Sequence, residues 1–437
     1  MNARTPLLVL GLAALTACAD NATGPSSLLS RSGIAASVSP QGNLVLHVDA
    51  SAPAGGDGSG RTPYQSVGEA VNRANQNGGA QIIVSPGTYP VAQTIRIESP
   101  VAILGSNVMS LDADGLPTGV VAAGTETRLV AASTPAADTI LFVNRADGGI
   151  IRGVKLANLT IEGGAGNVTS VLFVKTQDFD VRDNLMKGPI GLNISASASS
   201  GQVRGNYMTG VGCGICIGAG NAASPSVVDI RGNRAVNSRN GGVLLNGSGT
   251  DVDEFADQLD ATIENNDLSE SVALNGTGFG LRIFIIRRDP GAPVDNQSTG
   301  YVRAVVRNNR MVHNQMGLIL DAGFPYRRFA GVCDSRTYTG GIDLTLNNNA
   351  IAASTVKPAL ITFTRSSTAL NAAQRSQYKY LHNSTFRVSD PDGSLAGYQL
   401  DHRNNDPATP LQLCQGEVVS APLGNHFFYN GAEIAGS

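Results

Sequence analysis

One short phrase recurs through most of this chain: an apolar strand, a polar turn that ends in asparagine, then a second apolar strand. The turns are Leu156-Ala157-Asn158, Val181-Arg182-Asp183-Asn184, Val203-Arg204-Gly205-Asn206, Ile230-Arg231-Gly232-Asn233, Ile263-Glu264-Asn265-Asn266, Val305-Val306-Arg307-Asn308-Asn309 and Leu346-Asn347-Asn348-Asn349, with Leu381-His382-Asn383 as a further candidate. Asn158, Asn184, Asn206, Asn233, Asn266, Asn309, Asn349 and Asn383 are separated by 26, 22, 27, 33, 43, 40 and 34 residues. The smallest interval fits one short coil of a β-solenoid, and the larger ones fit the same coil with a loop inserted. The corner needs a left-handed backbone, which Asn tolerates. Asn amides stacked at the strand spacing, about 4.8 Å, also hydrogen-bond along the stack. The row is therefore structural, and not a polar binding strip.

The second strands read Gly191-Leu192-Asn193-Ile194, Gly214-Ile215-Cys216-Ile217, Gly242-Val243-Leu244-Leu245, Gly280-Leu281-Arg282-Ile283 and Gly317-Leu318-Ile319-Leu320. Alternation turns Leu192, Ile215, Val243, Leu281 and Leu318 inward. The outward column is then Asn193, Cys216, Leu244, Arg282 and Ile319. It is too apolar for a solvated face, so it is covered either by packed loops or by something bound.

The N-terminal part of this region has its own pattern. Ser66-Val67-Gly68-Glu69 has capping-box spacing, Val67, Ala70, Val71 and Ala74 share one helical face, and Gly78-Gly79 ends the helix. Gln81-Ile82-Ile83-Val84 reads as a strand, Pro86-Gly87-Thr88-Tyr89 as a turn and Thr94-Ile95-Arg96-Ile97 as a strand. Gly56-Asp57-Gly58-Ser59, Pro63-Tyr64-Gln65-Ser66-Val67, Glu69-Ala70-Val71 and Ile82 to Tyr89, in this order, resemble the start of pectate-lyase-like right-handed β-helix proteins. The resemblance implies a helix capping the open end of the coil and a first rung opened by the Pro-Gly-Thr-Tyr turn. Together with the repeat it predicts an all-β fold, a single-stranded right-handed parallel β-helix over 44–384 with an N-terminal capping helix, and a closing segment over 385–437. A solenoid also suits a chain of this length, because each coil needs only its neighbours for a core.

Residues 1–17 read as an export signal. Arg4 precedes an apolar run, Leu7 to Leu15, far short of the roughly 20 residues that span a bilayer. Leu15-Thr16-Ala17-Cys18 resembles the lipobox of bacterial lipoproteins, which implies a lipid on Cys18, a membrane partner through that lipid, and a cell-envelope location, the outer membrane or cell surface ahead of the inner membrane. Residues 18–43, rich in Ala, Ser, Gly and Asn, read as a tether. A net charge of −3 with only 15% charged residues argues against a nucleic-acid partner, which needs a basic face.

Insertions follow the second strand of successive coils, roughly at 197–201, 220–226, 247–260, 286–300, 322–341 and 365–380. Clustered on one side of a repeat protein, they mark a candidate binding face. One carries Asp251, Asp253, Glu254, Asp257 and Asp260, the next Arg287, Arg288 and Asp289, the one after Arg327, Arg328, Asp334 and Arg336. Asp251, Asp253 and Asp257 are candidate calcium ligands, and Arg282, Arg287, Arg288, Arg327 and Arg328 are candidates to bind or deprotonate a uronate. The competing reading is of loops that pin one another by ion pairs. The resemblance implies polysaccharide binding or processing, with acidic-polysaccharide lyase chemistry as the enzymatic form. No pectate-lyase, polygalacturonase or pectin-methylesterase signature is matched, so whether the chain is an enzyme stays open, and a non-catalytic adhesion or envelope-scaffold role stands beside it. Seven of the ten tyrosines lie beyond residue 300, near the longest loops. His313 reads as an exposed turn residue, Asp401-His402-Arg403 with Asp406 as a capped loop, and Ser389 to Gly393 as a plain turn. Of the cysteines, Cys213 and Cys216 fall on opposite sides of a regular strand and should not bond. Cys333 and Cys414 are the expected disulfide, as an oxidising compartment allows.

Overall fold

The computed structural model describes residues 44–437 except 133–138, 164–167, 189–190, 211, 221–224, 248–256, 274–277, 286–298, 322–338, 353–356, 363–384, 396, 402–410, 415–416, 420–425 and 435–437. All described residues belong to the unit Ala35–Ser437. They form three stacked sheets of 13, 6 and 10 strands, here sheets 1, 2 and 3. The chain visits sheet 1, then 2, then 3, and returns. The coil Phe179–Arg182, Leu185–Lys187, Leu192–Ser197 is followed by Gly201–Arg204, Tyr207–Thr209, Cys213–Gly218, each strand pairing parallel with its predecessor. This is a right-handed parallel β-helix, the sense that parallel crossovers take.

Inward columns form the core. Val181, Val203, Ile230, Ile263, Val306 and Leu346 stack from sheet 1, and Ile194, Ile215, Val243, Leu281 and Leu318 from sheet 3, all fully buried. Each such side chain contributes about 1.5–3 kcal/mol. Phe173 and Phe179 stack within the core, their centroids 4.7 Å apart.

Helix α1, Val67–Gln76, has Ser66 as N-cap, the complete capping box with Glu69, and Val67, Ala70, Val71 and Ala74 buried. Pro86-Gly87-Thr88-Tyr89 differs from the expected turn. Gly87–Val91 is a strand of sheet 2, and the buried Tyr89 hydroxyl donates to the Ser85 carbonyl at 2.9 Å and accepts from Ala50 N–H at 3.2 Å. At the far end, Thr385–Ser389 and then His426–Tyr429 extend sheet 1, and Ala432–Glu433 closes it antiparallel. There Asp390, in the turn expected at Ser389 to Gly393, accepts from Ser394 N–H, Leu395 N–H and the Tyr429 hydroxyl.

The asparagine corner divides two tasks between neighbours. The left-handed residue is Asn158, Asp183, Gly205, Gly232, Asn265, Asn308 or Asn348, with φ between 50 and 62°. The stacking amide belongs to the next residue: Asn184, Asn206, Asn233, Asn266, Asn309 and Asn349. From Asn206 on, each side-chain oxygen accepts from both the backbone and the side-chain N–H of the Asn one coil earlier, at 2.9–3.1 Å. Asn158 thus belongs to the left-handed position, and Leu159 holds the stacking one, donating its N–H to Asn184. Asn383 lies outside the described residues, and Ser394 takes the next stacking place.

Candidate functional site

The insertions expected from the sequence all follow strands of sheet 3, so its outer face leads to them. Two departures from the expected alternation shape that face. First, the ladder pairs Cys213 with Gly241 and Ile215 with Val243, passing over Gly214 and Gly242, and neighbouring coils repeat the skip. A Cβ on Gly214 would lie 2.9 Å from the buried Ala235 Cβ and 2.6 Å from the Gly242 carbonyl oxygen, so in this coil the position faces inward and glycine is what fits. The register is the same on both sides of the skip, so each strand carries one skipped residue. Second, the coil at 192–197 is offset by two residues from the sequence alignment. Ile194 is its inward residue, Ser195 joins the outward column, and Asn193 is fully buried. The expected inward Leu192 and outward Asn193 are corrected accordingly, because Asn193, and not Gly191, stands opposite Gly214.

The skipped inward position also overturns the cysteine expectation. Two inward positions in succession turn residues one and four of the strand to the same side, and Cys213 and Cys216 are bonded to each other across a Cα separation of 6.6 Å. Of the expected Cys333–Cys414 pair, Cys333 lies outside the described residues. Cys414 ends the strand Leu411–Cys414, with its side chain also outside them, as is Cys18.

Further along, the outward column runs Cys216, Leu244, Arg282, Ile319, Leu360, and the column beside it Asn246, Phe284, Asp321. Arg282 and Asp321 form an ion pair at 2.6 Å, their side chains only 12% and 8% exposed. The guanidinium lies 5.4 Å from the Phe284 ring centroid. Phe284, Ile319 and Leu360 are buried although they face outward. The covered apolar column expected from the sequence is present, with a desolvated ion pair inside it.

Where the chain returns to sheet 1, its strands lengthen. Asp257–Glu264, Thr299–Arg307 and Thr339–Asn347 have 8, 9 and 9 residues, against 4 in Gly201–Arg204. The added residues set Asp260, Arg303, Asp343 and Arg387 side by side. Asp260–Arg303 and Asp343–Arg387 pair at 3.6 and 3.4 Å. Tyr301 donates its hydroxyl to Asp343 and spreads over Gly341, where a Cβ would meet its ring at 2.8 Å. Burial, with the Asp343 carboxylate beside it, pushes the Tyr301 phenol up to about 12. The same outer face also carries Asp180 with Arg182 and Arg204, and Glu264 with Arg231 and Arg307. Such surface pairs are each worth about 0–1 kcal/mol and tie coil to coil.

Of the sequence candidates, the structure places Arg282, and in an ion pair. Arg287, Arg288, Arg327, Arg328, Asp251 and Asp253 lie outside the described residues, as does the side chain of Asp257. Among the described residues no group of three or more His, Cys, Asp or Glu side chains could hold a metal ion. His313 is exposed at a left-handed turn, as expected. Asp321, Phe284 and the Tyr301–Asp343 pair were not singled out from sequence. Aligning Phe284 with Asp321 as the last residues of adjacent strands was the available signal.

No protein-family model matches this chain, and no curated protein matches it. Similar solved structures include a rhamnogalacturonan lyase, with 12% identity, TM-score 0.44 and coverage of 82% of this chain and 87% of that one. Another is the endo-xylogalacturonan hydrolase of Aspergillus tubingensis, with 13% identity, TM-score 0.42 and coverage of 89% and 92%. A third is the DFA-IIIase of Arthrobacter chlorophenolicus A6, with 15% identity, TM-score 0.40 and coverage of 82% and 84%. Likeness at this identity concerns fold alone. On its own strand pairing, the chain is a right-handed parallel β-helix protein.

Proposed function

We propose that this chain is an exported bacterial envelope protein, anchored through a lipid on Cys18, that binds polysaccharide along the outer face of sheet 3. The observation that carries the reading is the partly exposed outward column Ser195, Cys216, Leu244 and Arg282, which runs on into the covered Phe284, Ile319 and Leu360 around the Arg282–Asp321 pair. The outer face of a solenoid strand is normally solvated, as the arginines of the sheet 1 ion pairs are, 30–57% exposed against 12% for Arg282. A face that joins apolar side chains with a few fixed polar groups has the character of a ligand surface, and sugars offer both hydroxyls and apolar C–H faces.

We read the role as binding, because the Arg282 guanidinium is engaged by the Asp321 carboxylate at 2.6 Å. The lyase form of the reading rests on Arg287, Arg288, Arg327 and Arg328, with calcium on Asp251, Asp253 and Asp257, all outside the described side chains. An adhesion or envelope-scaffold role draws support from the coil-to-coil ion pairs of sheet 1. Incubating the full chain with neutral and uronate-rich polysaccharides, with and without calcium, separates these. Depletion of the chain onto a polysaccharide without new ultraviolet absorbance is the expected result. A rise in absorbance from unsaturated uronates establishes a lyase. Neither binding nor products across the panel leaves the scaffold role.

A further inference from the structure

We infer that the Cys213–Cys216 pair is a reversible thiol–disulfide exchange site, opened by thiols at Cys216 and closed again by disulfides with the coil unchanged. The inference does not depend on what the outer face of sheet 3 binds.

A disulfide that serves the fold joins parts of the chain that would otherwise separate, and it stabilises more the longer the loop it closes. This one encloses only Gly214 and Ile215, within the single strand Cys213–Gly218, and ties no coil to another. Nor does it set the course of that strand. The skipped inward residue that turns Cys213 and Cys216 to one side recurs in the next four coils. There the corresponding pairs are Gly241 and Leu244, Phe279 and Arg282, Met316 and Ile319, and Lys357 and Leu360. None of these can bond, yet the register runs through all of them. The backbone therefore holds the two cysteines at a Cα separation of 6.6 Å whether or not their sulfurs are joined, and both redox states fit one fold.

The two sulfurs differ in access, which sets the order of events. Cys213 is 4% exposed. Cys216 is partly exposed in the outward column, between Ser195 and Leu244. An entering thiolate reaches the Cys216 sulfur and bonds to it. The Cys213–Cys216 bond breaks, and its electron pair leaves on the Cys213 sulfur, which takes up a proton. That sulfur lies 3.5 Å from the Ile215 carbonyl oxygen, so the released thiol has an acceptor in place. A second thiol then attacks the entering group's sulfur and frees Cys216. Two external thiols become one disulfide, and the protein gains two electrons and two protons as its own two thiols.

The test is equilibration of the full chain, without denaturant, in buffers of stepped reduced-to-oxidised glutathione ratio. Acid quench, alkylation and mapping of the peptide that holds both cysteines follow. The expected result is a peptide that passes from joined to doubly alkylated as the ratio rises. It returns when oxidised glutathione is restored, and the circular dichroism spectrum is unchanged throughout. Two variants read the order of attack. With oxidised glutathione, Cys213→Ser takes up one glutathione on Cys216, whereas Cys216→Ser takes up none on the buried Cys213 in the same time. Should either variant not fold, the wild-type titration decides. A bond that opens only in denaturant, or a β spectrum lost as it opens, overturns the inference and makes the pair structural. Uptake on Cys213 as fast as on Cys216 overturns the entry at Cys216.

Discussion

The side-chain oxygen of Asn206 accepts two hydrogen bonds from Asn184, one from its backbone N–H at 3.1 Å and one from its side-chain amide at 3.0 Å. Asn184 in turn donates to the Leu156 carbonyl, and both residues are fully buried. Each amide so placed satisfies groups in its own coil and in the coil before it, which ties coils of unequal length into one register.

That division of labour makes neighbouring asparagines unequal. Asn266→Ala strips partners from the buried backbone and side-chain N–H groups of Asn233, and should cost about 2–3 kcal/mol. Asn265→Gly, at φ 54°, removes a left-handed side chain where two other coils already have glycine, and should change stability by less than about 1 kcal/mol. Urea unfolding of the two variants measures both. Equal losses would show that the two tasks are not divided.

Peptide mapping without reduction should find Cys213 and Cys216 joined within one peptide, with both cysteines open to alkylation only after reduction. The same map reports on Cys333 and Cys414. A bond from Cys213 or Cys216 to either of them would contradict the Cys213–Cys216 pairing.

The phenol of Tyr301 is raised to about 12 from an ordinary value of 10.0, and Tyr89 and Tyr429 are raised as well. The folded state therefore keeps these protons where the unfolded chain releases them. Their stabilisation is complete below pH 10 and for Tyr301 is lost as pH rises toward 12. Stability followed through that window should fall, and less steeply in Tyr301→Phe. A phenolate absorbance titration should show a class of tyrosines ionising above the ordinary value.

Removing one member of the Arg282–Asp321 pair leaves a poorly hydrated charge. Arg282→Ala should cost about 3 kcal/mol, whereas the double change Arg282→Met, Asp321→Leu should cost less than that single change. Chemical denaturation of the set is the measurement. A double variant weaker than Arg282→Ala would mean that the pair stabilises the fold in its own right.

The coil was legible because it repeats: one apolar column and one asparagine corner are enough to count rungs. The cap was legible because a capping box and a helical apolar face are local signals, as Ser66, Glu69 and Val71 illustrate. The skipped inward position was not, because Asn193 and Gly214 hold the same place without looking alike; it hid that Ser195, and not Asn193, begins the outward column, and that Cys213 and Cys216 share a side. The partner of Arg282 was equally hidden. Asp321 stands 39 residues away, and only the register of two strands, separated by an insertion, brings it alongside.

The most direct test of the central claim is retardation of the full chain in native gels cast with individual polysaccharides, run beside Leu244→Lys. Leu244 is the outward neighbour of Arg282 on the adjacent strand, and lysine there sets a hydrated charge on the face without touching the core. Retardation of the wild type by at least one polysaccharide, lost in a Leu244→Lys variant with an unchanged unfolding midpoint, is the predicted result. Unretarded migration in every gel, or retardation that Leu244→Lys leaves intact, would contradict binding on the outer face of sheet 3.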